Sequence, residues 1–530
     1  MAKVNFGNIF RNQEDMESPE IAKLTAPIPS WVNGSYIRIG PALWDIGEIT
    51  VNHFLDGYSM FTKFDIRDGK VLYQKKFLQS EAYRKAIAAK KPVFAEFATP
   101  SHISKGFFSQ VVNAFSSKGI TDNDSLNLFS VEGELFAASE SCHIHNFKKN
   151  NLETGDRFDF YKLFGVHMAC SHPQRDAIGD LYNIATSFTT GCKYQIIKVP
   201  NVGTGNAKDA LKKTTNFATI YPSWNTCFSY YHSFAMTENY IVMIEQPLLI
   251  NFVKLADVKL KAKAIVDILE WSPSEKNRFH IVDKRTGEVF KTKIYSAIPF
   301  FFFHLANSYE DDGHIVIDVD AYPDSSIFDT MMMGRLRKRE LDGADVCRLT
   351  RFVIPIIKNV KDVDKGEYLS TLTYTSANAI REGDHIVLSR EEIGAPGFEG
   401  PNVSPIKHFK KHRYVYGSGT CCNGFYANAL CRVDTETKET ILWREEPYFF
   451  LGEPEFLPSP NATEDDEGII LSAVSDGRDN GKDFLLFIDA KTMTEVSRAV
   501  FDNQIPQCVH GQFLPDKKMR NCFPSHYVTF

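Results

Sequence analysis

Apolar and polar positions alternate along most of the chain in short runs punctuated by turn residues, which is the period of half-buried strands. Several segments share one grammar: an apolar run, an Asp, a short polar turn often with Gly, then a β-branched run. Phe64-Asp65-Ile66-Arg67-Asp68-Gly69-Lys70-Val71 is one case, and Val282-Asp283-Lys284-Arg285-Thr286-Gly287-Glu288-Val289 another. Val433 to Ile441 and Ile488 to Val496 repeat it with Lys or Met in place of Gly. Asp and Gly supply the turn conformations and the flanks supply pleated strands. Hairpins spread over most of the chain predict an all-β protein, either a radially repeated β-propeller or a pair of β-sandwiches. The repeat is too degenerate for blades to be counted.

Helical period is scarce. Phe107, Phe108, Val111, Val112 and Phe115 fall on one helical face, and a second apolar, Lys-rich stretch runs from Ile250 to Leu269. Two readings compete for both: helices that cap the core, or a peripheral patch that dips into a membrane surface. Arg335–Asp345 reads as a charged loop or short helix, and Ala462–Gly468 as an acidic exposed turn. No low-complexity tract or interdomain linker interrupts the pattern.

Composition narrows the class. The 530 residues are 43% hydrophobic, with 42 Phe against 21 Tyr and 5 Trp. Buried Phe needs no hydrogen-bond partner, so this excess suits a core and equally the wall of an apolar tunnel. A net charge of −6, with no Lys/Arg cluster interleaved with aromatics, argues against nucleic-acid binding. The first residues, MAKVNFGNIF, lack the apolar run of a signal peptide, and no window reads as a transmembrane helix. The ten cysteines are scattered without CxxC pairs, as expected of reduced thiols in a cytoplasmic protein.

Familiar catalytic motifs are missing: there is no HExxH, no P-loop and no GxSxG elbow. The histidines carry more information. Of fifteen, four border strand-like apolar runs: His172 before Pro173, His232 in Tyr231-His232-Ser233-Phe234, His304 after Phe301-Phe302-Phe303, and His510 in Val509-His510-Gly511. Imidazole is costly to bury without a partner, and a shared metal is one explanation. Separations of 60, 72 and 206 residues carry no local motif, but suit ligands converging on one axis from different blades. The competing reading is four separately satisfied core histidines, and periodicity alone does not choose these four. His143 and His145, alternate positions in Cys142-His143-Ile144-His145, suggest a surface zinc site as a weaker option. The remaining histidines read as surface or packing residues.

The stretches around these residues resemble the carotenoid cleavage oxygenase family, which includes β-carotene oxygenases, insect isomerooxygenases and a retinoid isomerohydrolase. The resemblance rests on Gly34-Ser35-Tyr36-Ile37-Arg38-Ile39-Gly40-Pro41, His53-Phe54-Leu55-Asp56-Gly57-Tyr58-Ser59-Met60, and His232-Ser233-Phe234-Ala235-Met236-Thr237-Glu238-Asn239-Tyr240. Glu464-Asp465-Asp466-Glu467-Gly468-Ile469-Ile470-Leu471-Ser472 and His510-Gly511-Gln512-Phe513 complete it, in order, over most of the chain. It implies one propeller domain over residues 1–530, seven-bladed, with a small helical cap over an axial metal site. It also implies that His172, His232, His304 and His510 ligate Fe(II), with Glu140, Glu399 and Glu453 behind them. A carboxylate that accepts a ligand's free ring N–H fixes its tautomer and raises its basicity.

By the same resemblance Phe97, Ser139 and Tyr322 line the substrate tunnel. The implied activity is oxidative cleavage of a carotenoid by dioxygen to retinal-type aldehydes, in the insect pattern with trans-to-cis isomerisation of one product, as vision requires. Retinyl-ester isomerohydrolysis is the alternative enzyme, and a non-catalytic carotenoid carrier the alternative of another class. Relatives carry a proposed lipid-anchoring Cys in the segment matching Thr99–Phe107, and this chain has none there. Peripheral membrane contact is therefore expected from Phe107–Phe115 and the Ile250–Leu269 stretch.

Overall fold

The computed structural model describes residues 6–101, 120–251, 254, 263–338, 346–419, 428–445 and 448–524. They form a seven-bladed β-propeller, each blade a sheet of four to six strands. The hairpin grammar is the building unit. Tyr58–Arg67 turns into Lys70–Phe77 through Asp68 and Gly69, both at positive φ (47° and 73°), the conformation that matches the twist of paired strands. Lys438 and Met493 take the same left-handed conformation in the two variant turns, at a cost that Gly would avoid.

The ends of the chain close the ring. In the first blade, Gly34–Leu43 pairs outward with Tyr58–Arg67 and inward with His510–Pro515, the last strand of the protein. The seventh blade, built on Gly468–Asp476, Phe484–Asp489 and Thr494–Val500, receives Lys23–Leu24 as its outer strand. Adjacent blades bury apolar faces against each other. Tyr36, Phe64 and Tyr73 of the first blade pack with Leu471, Leu485 and Phe487 of the seventh. Because both faces of a blade are covered, central strands such as Leu181–Ser187 and His314–Tyr322 are buried throughout.

Short helices cap one end of the axis. Ser80 accepts the Tyr83 N–H and starts Glu81–Ala89, whose Ala82 and Ala86 face the core. Ile327–Thr330 and Met333–Lys338 place Phe328, Met333 and Leu336 in the same cluster as Tyr230, Phe301, Phe303 and Tyr322.

Three expectations need correction. His143 and His145 are not at the surface: both are buried, and His145 Nδ1 lies 2.6 Å from the buried Asp124 carboxylate. In the Ala462–Gly468 turn, Asp465 and Asp466 are buried, because Asp465 accepts the Arg413 and Tyr414 backbone N–H groups. In the Ile250–Leu269 stretch, the described parts are not α-helical. Leu248–Asn251 and Leu269–Trp271 are paired strands and Val266–Ile268 is a 3-10 turn, because Ile250 sits in a sheet register opposite Leu269 and Phe228. Phe107–Phe115 lies outside the described residues. Among the described residues no helix is long and apolar enough to cross a membrane.

Candidate metal centre

Each of the four histidines stands where an innermost strand is broken, begun or distorted. Met168–Ala169 and Gln174–Arg175 both pair with Leu181–Ser187, and His172 occupies the gap between them. Asn183 donates to the Cys170 carbonyl there at 2.8 Å, satisfying backbone that the ladder leaves open. His232 precedes Ala235–Met236, the short inner strand of the fourth blade. His304 lies in Phe301–Asp311 between Phe302 and Leu305, where the register with the next strand shifts. Such bulges re-aim a side chain out of strict alternation. His510 is the first residue of the closing strand.

These breaks bring four imidazole Nε2 atoms together. His172 to His232 is 3.0 Å, His232 to His304 is 3.2 Å, and His304 to His510 is 3.0 Å. Three carboxylates stand behind the rings. Glu140 Oε1 is 2.6 Å from His232 Nδ1, Glu399 Oε2 is 2.8 Å from His304 Nδ1, and Glu453 Oε1 is 2.9 Å from His510 Nδ1. Each of those Nδ1 atoms donates, which leaves the three Nε2 lone pairs directed at one another. Facing lone pairs repel, so a cation between them is what this donor set fits. With metal–imidazole bonds of roughly 2.1 Å, ligands at right angles lie about 3.0 Å apart and tetrahedral ones about 3.4 Å. Two of the observed spacings match the shorter value and the third, 3.2 Å, lies between the two, so the four rings could hold one ion.

Electrostatics do not treat the rings alike: burial would lower His304, but Glu399, with Glu453 and Glu140, overcomes it and raises His304 above the usual imidazole range. Burial, reinforced by the other three rings, drives His172 well below the usual imidazole range. Burial also lowers His232, outweighing Glu140. Burial alone would raise Glu399 and Glu453, but His304 and His510 overcome it and hold both carboxyls below the usual range.

Tyr230 and Tyr322 complete the surroundings. Tyr230 donates to Glu140 Oε1 at 3.0 Å and Tyr322 to Glu399 Oε1 at 2.8 Å. Burial keeps both phenols protonated, so each stays a donor. Tyr322, expected as a tunnel residue, thus also holds a carboxylate. Tyr230 and Asn127, which faces His172, were not foreseen; the alternation of Tyr230 with His232 was the available signal.

The two sides of the centre differ. A cavity of about 290 Å³ is lined by His172, His304 and His510 with Asn127, Gln174 and Gln512. His232 instead meets an aromatic cluster, its ring 5.1 Å from Phe303, which continues to Phe328 and from there to Phe97. Ser139, the neighbour of Glu140, donates its hydroxyl to Asp124 Oδ1 at 3.4 Å.

A sequence profile of the family described as Retinal pigment epithelial membrane protein matches residues 9–515. The chain belongs to the carotenoid cleavage oxygenase family. Similar proteins include β,β-carotene 15,15′-dioxygenase of Rattus norvegicus, 33% identical over 521 residues, covering 96% of this chain and 91% of that protein. Mitochondrial carotenoid-cleaving dioxygenase of Macaca fascicularis is 35% identical over 520 residues, covering 93% and 92%. Among solved structures, cobalt-substituted Synechocystis apocarotenoid oxygenase superposes with a TM-score of 0.77 at 20% identity, covering 96% of this chain and 98% of that one. At that identity the likeness shows the shared family fold.

Proposed function

We propose that this carotenoid cleavage oxygenase is an iron(II) dioxygenase that cleaves one double bond of a carotenoid, with His172, His232, His304 and His510 as the iron donors. The observation that carries the reading is the convergence of the Nε2 atoms, three of them backed by glutamate. Imidazole donors suit iron among other metals. Family membership, and relatives named as carotenoid dioxygenases, favour iron and this substrate.

Iron(II), when bound, supplies the redox chemistry with dioxygen. The protein residues do the rest. Glu140, Glu399 and Glu453 fix the ring orientations and offset the ion's charge, which four neutral imidazoles do not. Tyr230 and Tyr322 hold two of those carboxylates by donating to Glu140 Oε1 and Glu399 Oε1. The aromatic cluster around Phe301, Phe303 and Phe328 offers a dry wall for a polyene and excludes water from its reacting bond. In the overall reaction both atoms of dioxygen end in the two new carbonyls, so no external reductant is needed. Substrate of this kind resides in bilayers, and the apolar sequence Phe107–Phe115, outside the described residues, is our candidate for peripheral contact with one.

The test is product analysis of iron-loaded protein with β-carotene micelles, in air and under argon. Retinal or apocarotenal formed in air and absent under argon is the expected result, and its cis/trans ratio reads out any isomerisation. Product under argon, or turnover of a retinyl ester without dioxygen, would replace cleavage by isomerohydrolysis.

A further inference from the structure

Glu399 belongs to a second group of ligand-type side chains, which the axial centre does not use. Asp320, Cys347 and Glu399 each present one donor atom, and the three atoms lie within 4.8 Å of one another. Three segments bring them together. Asp320 stands in His314–Tyr322, opposite Leu349 of Arg348–Pro355. Cys347 immediately precedes that second strand. Its carbonyl accepts the Gly397 N–H at 2.8 Å, which draws it to the start of Phe398–Asn402, the strand that carries Glu399. Asp320 and Tyr322 are alternate residues of one strand, which sets both on the face toward Glu399.

Asp320 is the unusual member. Its side chain is fully buried, and neither carboxyl oxygen has a hydrogen-bond partner among the described residues. An ionised carboxylate so placed is costly, and protonation does not cure the deficit, because the acid O–H then needs an acceptor. Its neighbour Asp318 shows the ordinary solution, with Arg351 holding it by two bonds of 2.7 Å. Asp320 faces a second carboxylate and a buried thiol instead. Glu399 has room for one more partner. A carboxylate offers about four lone-pair positions. Tyr322 takes one on Oε1, and the His304 ring and the Gly400 N–H take two on Oε2, which leaves one on Oε1.

We infer that Asp320, Cys347 and Glu399 form a second metal site, for a thiophilic divalent cation of the zinc class. A cation is what a buried carboxylate without a partner lacks. A thiolate among carboxylates selects zinc-like ions over calcium and magnesium, which take oxygen ligands. Bonds of roughly 2.3 Å to sulfur and 2.0 Å to oxygen put tetrahedral ligand atoms about 3.3–3.5 Å apart, within the span these three already occupy. A fourth position is left for water. Glu399 is partly exposed and gives the ion a way in. A filled site competes with His304 for the Glu399 charge, and so weakens the support of one axial ring. That consequence rests on the metal reading proposed above, whereas the site itself does not.

The experiment titrates full-length protein with cadmium(II), whose bond to a thiolate gives an ultraviolet charge-transfer band that the axial imidazoles cannot give. Melting curves check folding. Wild type is expected to show a saturable band, suppressed by zinc added first. Cys347→Ser is expected to lose the band. Asp320→Asn is expected to weaken cadmium binding by at least the roughly tenfold that follows removal even of a group behind a ligand. Cys142→Ser, a change at the other buried thiol with histidine and aspartate neighbours, is expected to keep the band. Absence of a saturable band in wild type overturns the inference and leaves buried water as the partner of Asp320. An unchanged band in folded Cys347→Ser, or wild-type affinity in folded Asp320→Asn, overturns it too. Should one of these two variants fail to fold, the other decides. Because the band requires a thiolate, its absence leaves the axial centre untouched, and failure of the axial histidines to hold cobalt leaves this site untouched.

Discussion

The Tyr322 hydroxyl donates to Glu399 Oε1 at 2.8 Å, while Oε2 of the same carboxylate accepts from the His304 ring at 2.8 Å. One glutamate thus ties the aromatic wall to the metal centre. Tyr322 is buried 6.2 Å from Phe303 by ring centroids, so a displaced phenol ring would be felt at both places. Tyr322→Phe keeps the packing and removes one hydrogen bond to a charged group, worth roughly 1.5–3 kcal/mol. It is expected to weaken metal retention less than Glu399→Gln, which removes the charge as well. Equal retention in Tyr322→Phe and wild type, by metal analysis after dialysis, would reduce Tyr322 to a packing residue.

His232→Ala and His510→Ala are each expected to abolish metal retention and turnover while leaving the circular dichroism of the sheet unchanged. The four Nε2 atoms lie within 4.8 Å of one another, so loss of one donor opens the centre. Full activity with metal still bound in either variant would refute the donor assignment.

Glu453→Gln preserves shape and removes the negative charge behind His510. Metal affinity should fall by about 10- to 100-fold, with the melting temperature little changed. Wild-type turnover and wild-type affinity together would exclude Glu453 from the centre's support.

Phe97 packs 5.0 Å from both Phe328 and His53, at the far end of the aromatic cluster. Phe97→Ala is expected to raise KM for a long carotenoid several-fold without altering metal content. An unchanged KM would make Phe97 core packing alone.

His53 gives the protein an acid limb. Its ring is fully buried, with Nε2 3.1 Å from the Phe328 carbonyl and Nδ1 accepting the Leu55 N–H. Burial, opposed by the Phe328 contact, pushes its pKa down to about 3. Between that value and the usual 6.5 the unfolded chain binds a proton that the folded chain does not. Stability from this residue is therefore present above pH 6.5 and falls as the pH drops toward 3. His53→Asn keeps an acceptor for the Leu55 N–H, as helix starts prefer. Melting curves from pH 7 to pH 4 should fall less steeply for the variant than for wild type, and parallel curves would rule out this contribution.

Strand content and hairpin positions were legible in the sequence because they are local. Asp68-Gly69 and Thr286-Gly287 specify turns within a few residues, and alternation specifies which face is buried. The burial of His143, His145, Asp465 and Asp466 was not legible, because partners come from elsewhere in the chain: Asp124 for His145, and the Arg413 and Tyr414 backbone for Asp465. The four histidines stood out only through the family's motifs around them.

By itself the sequence determined the strand and turn pattern, and through the family's motifs it singled out His172, His232, His304, His510 and the three glutamates. Tertiary structure alone decided that seven blades close through His510–Pro515, that bulges and breaks in the inner strands aim the rings at one point, and that Asn127 rather than a carboxylate meets His172. The physical reason is range. Turn conformation and alternation are properties of neighbouring residues, whereas a metal centre is assembled from side chains up to hundreds of positions apart, and only the closed ring of blades fixes their distances.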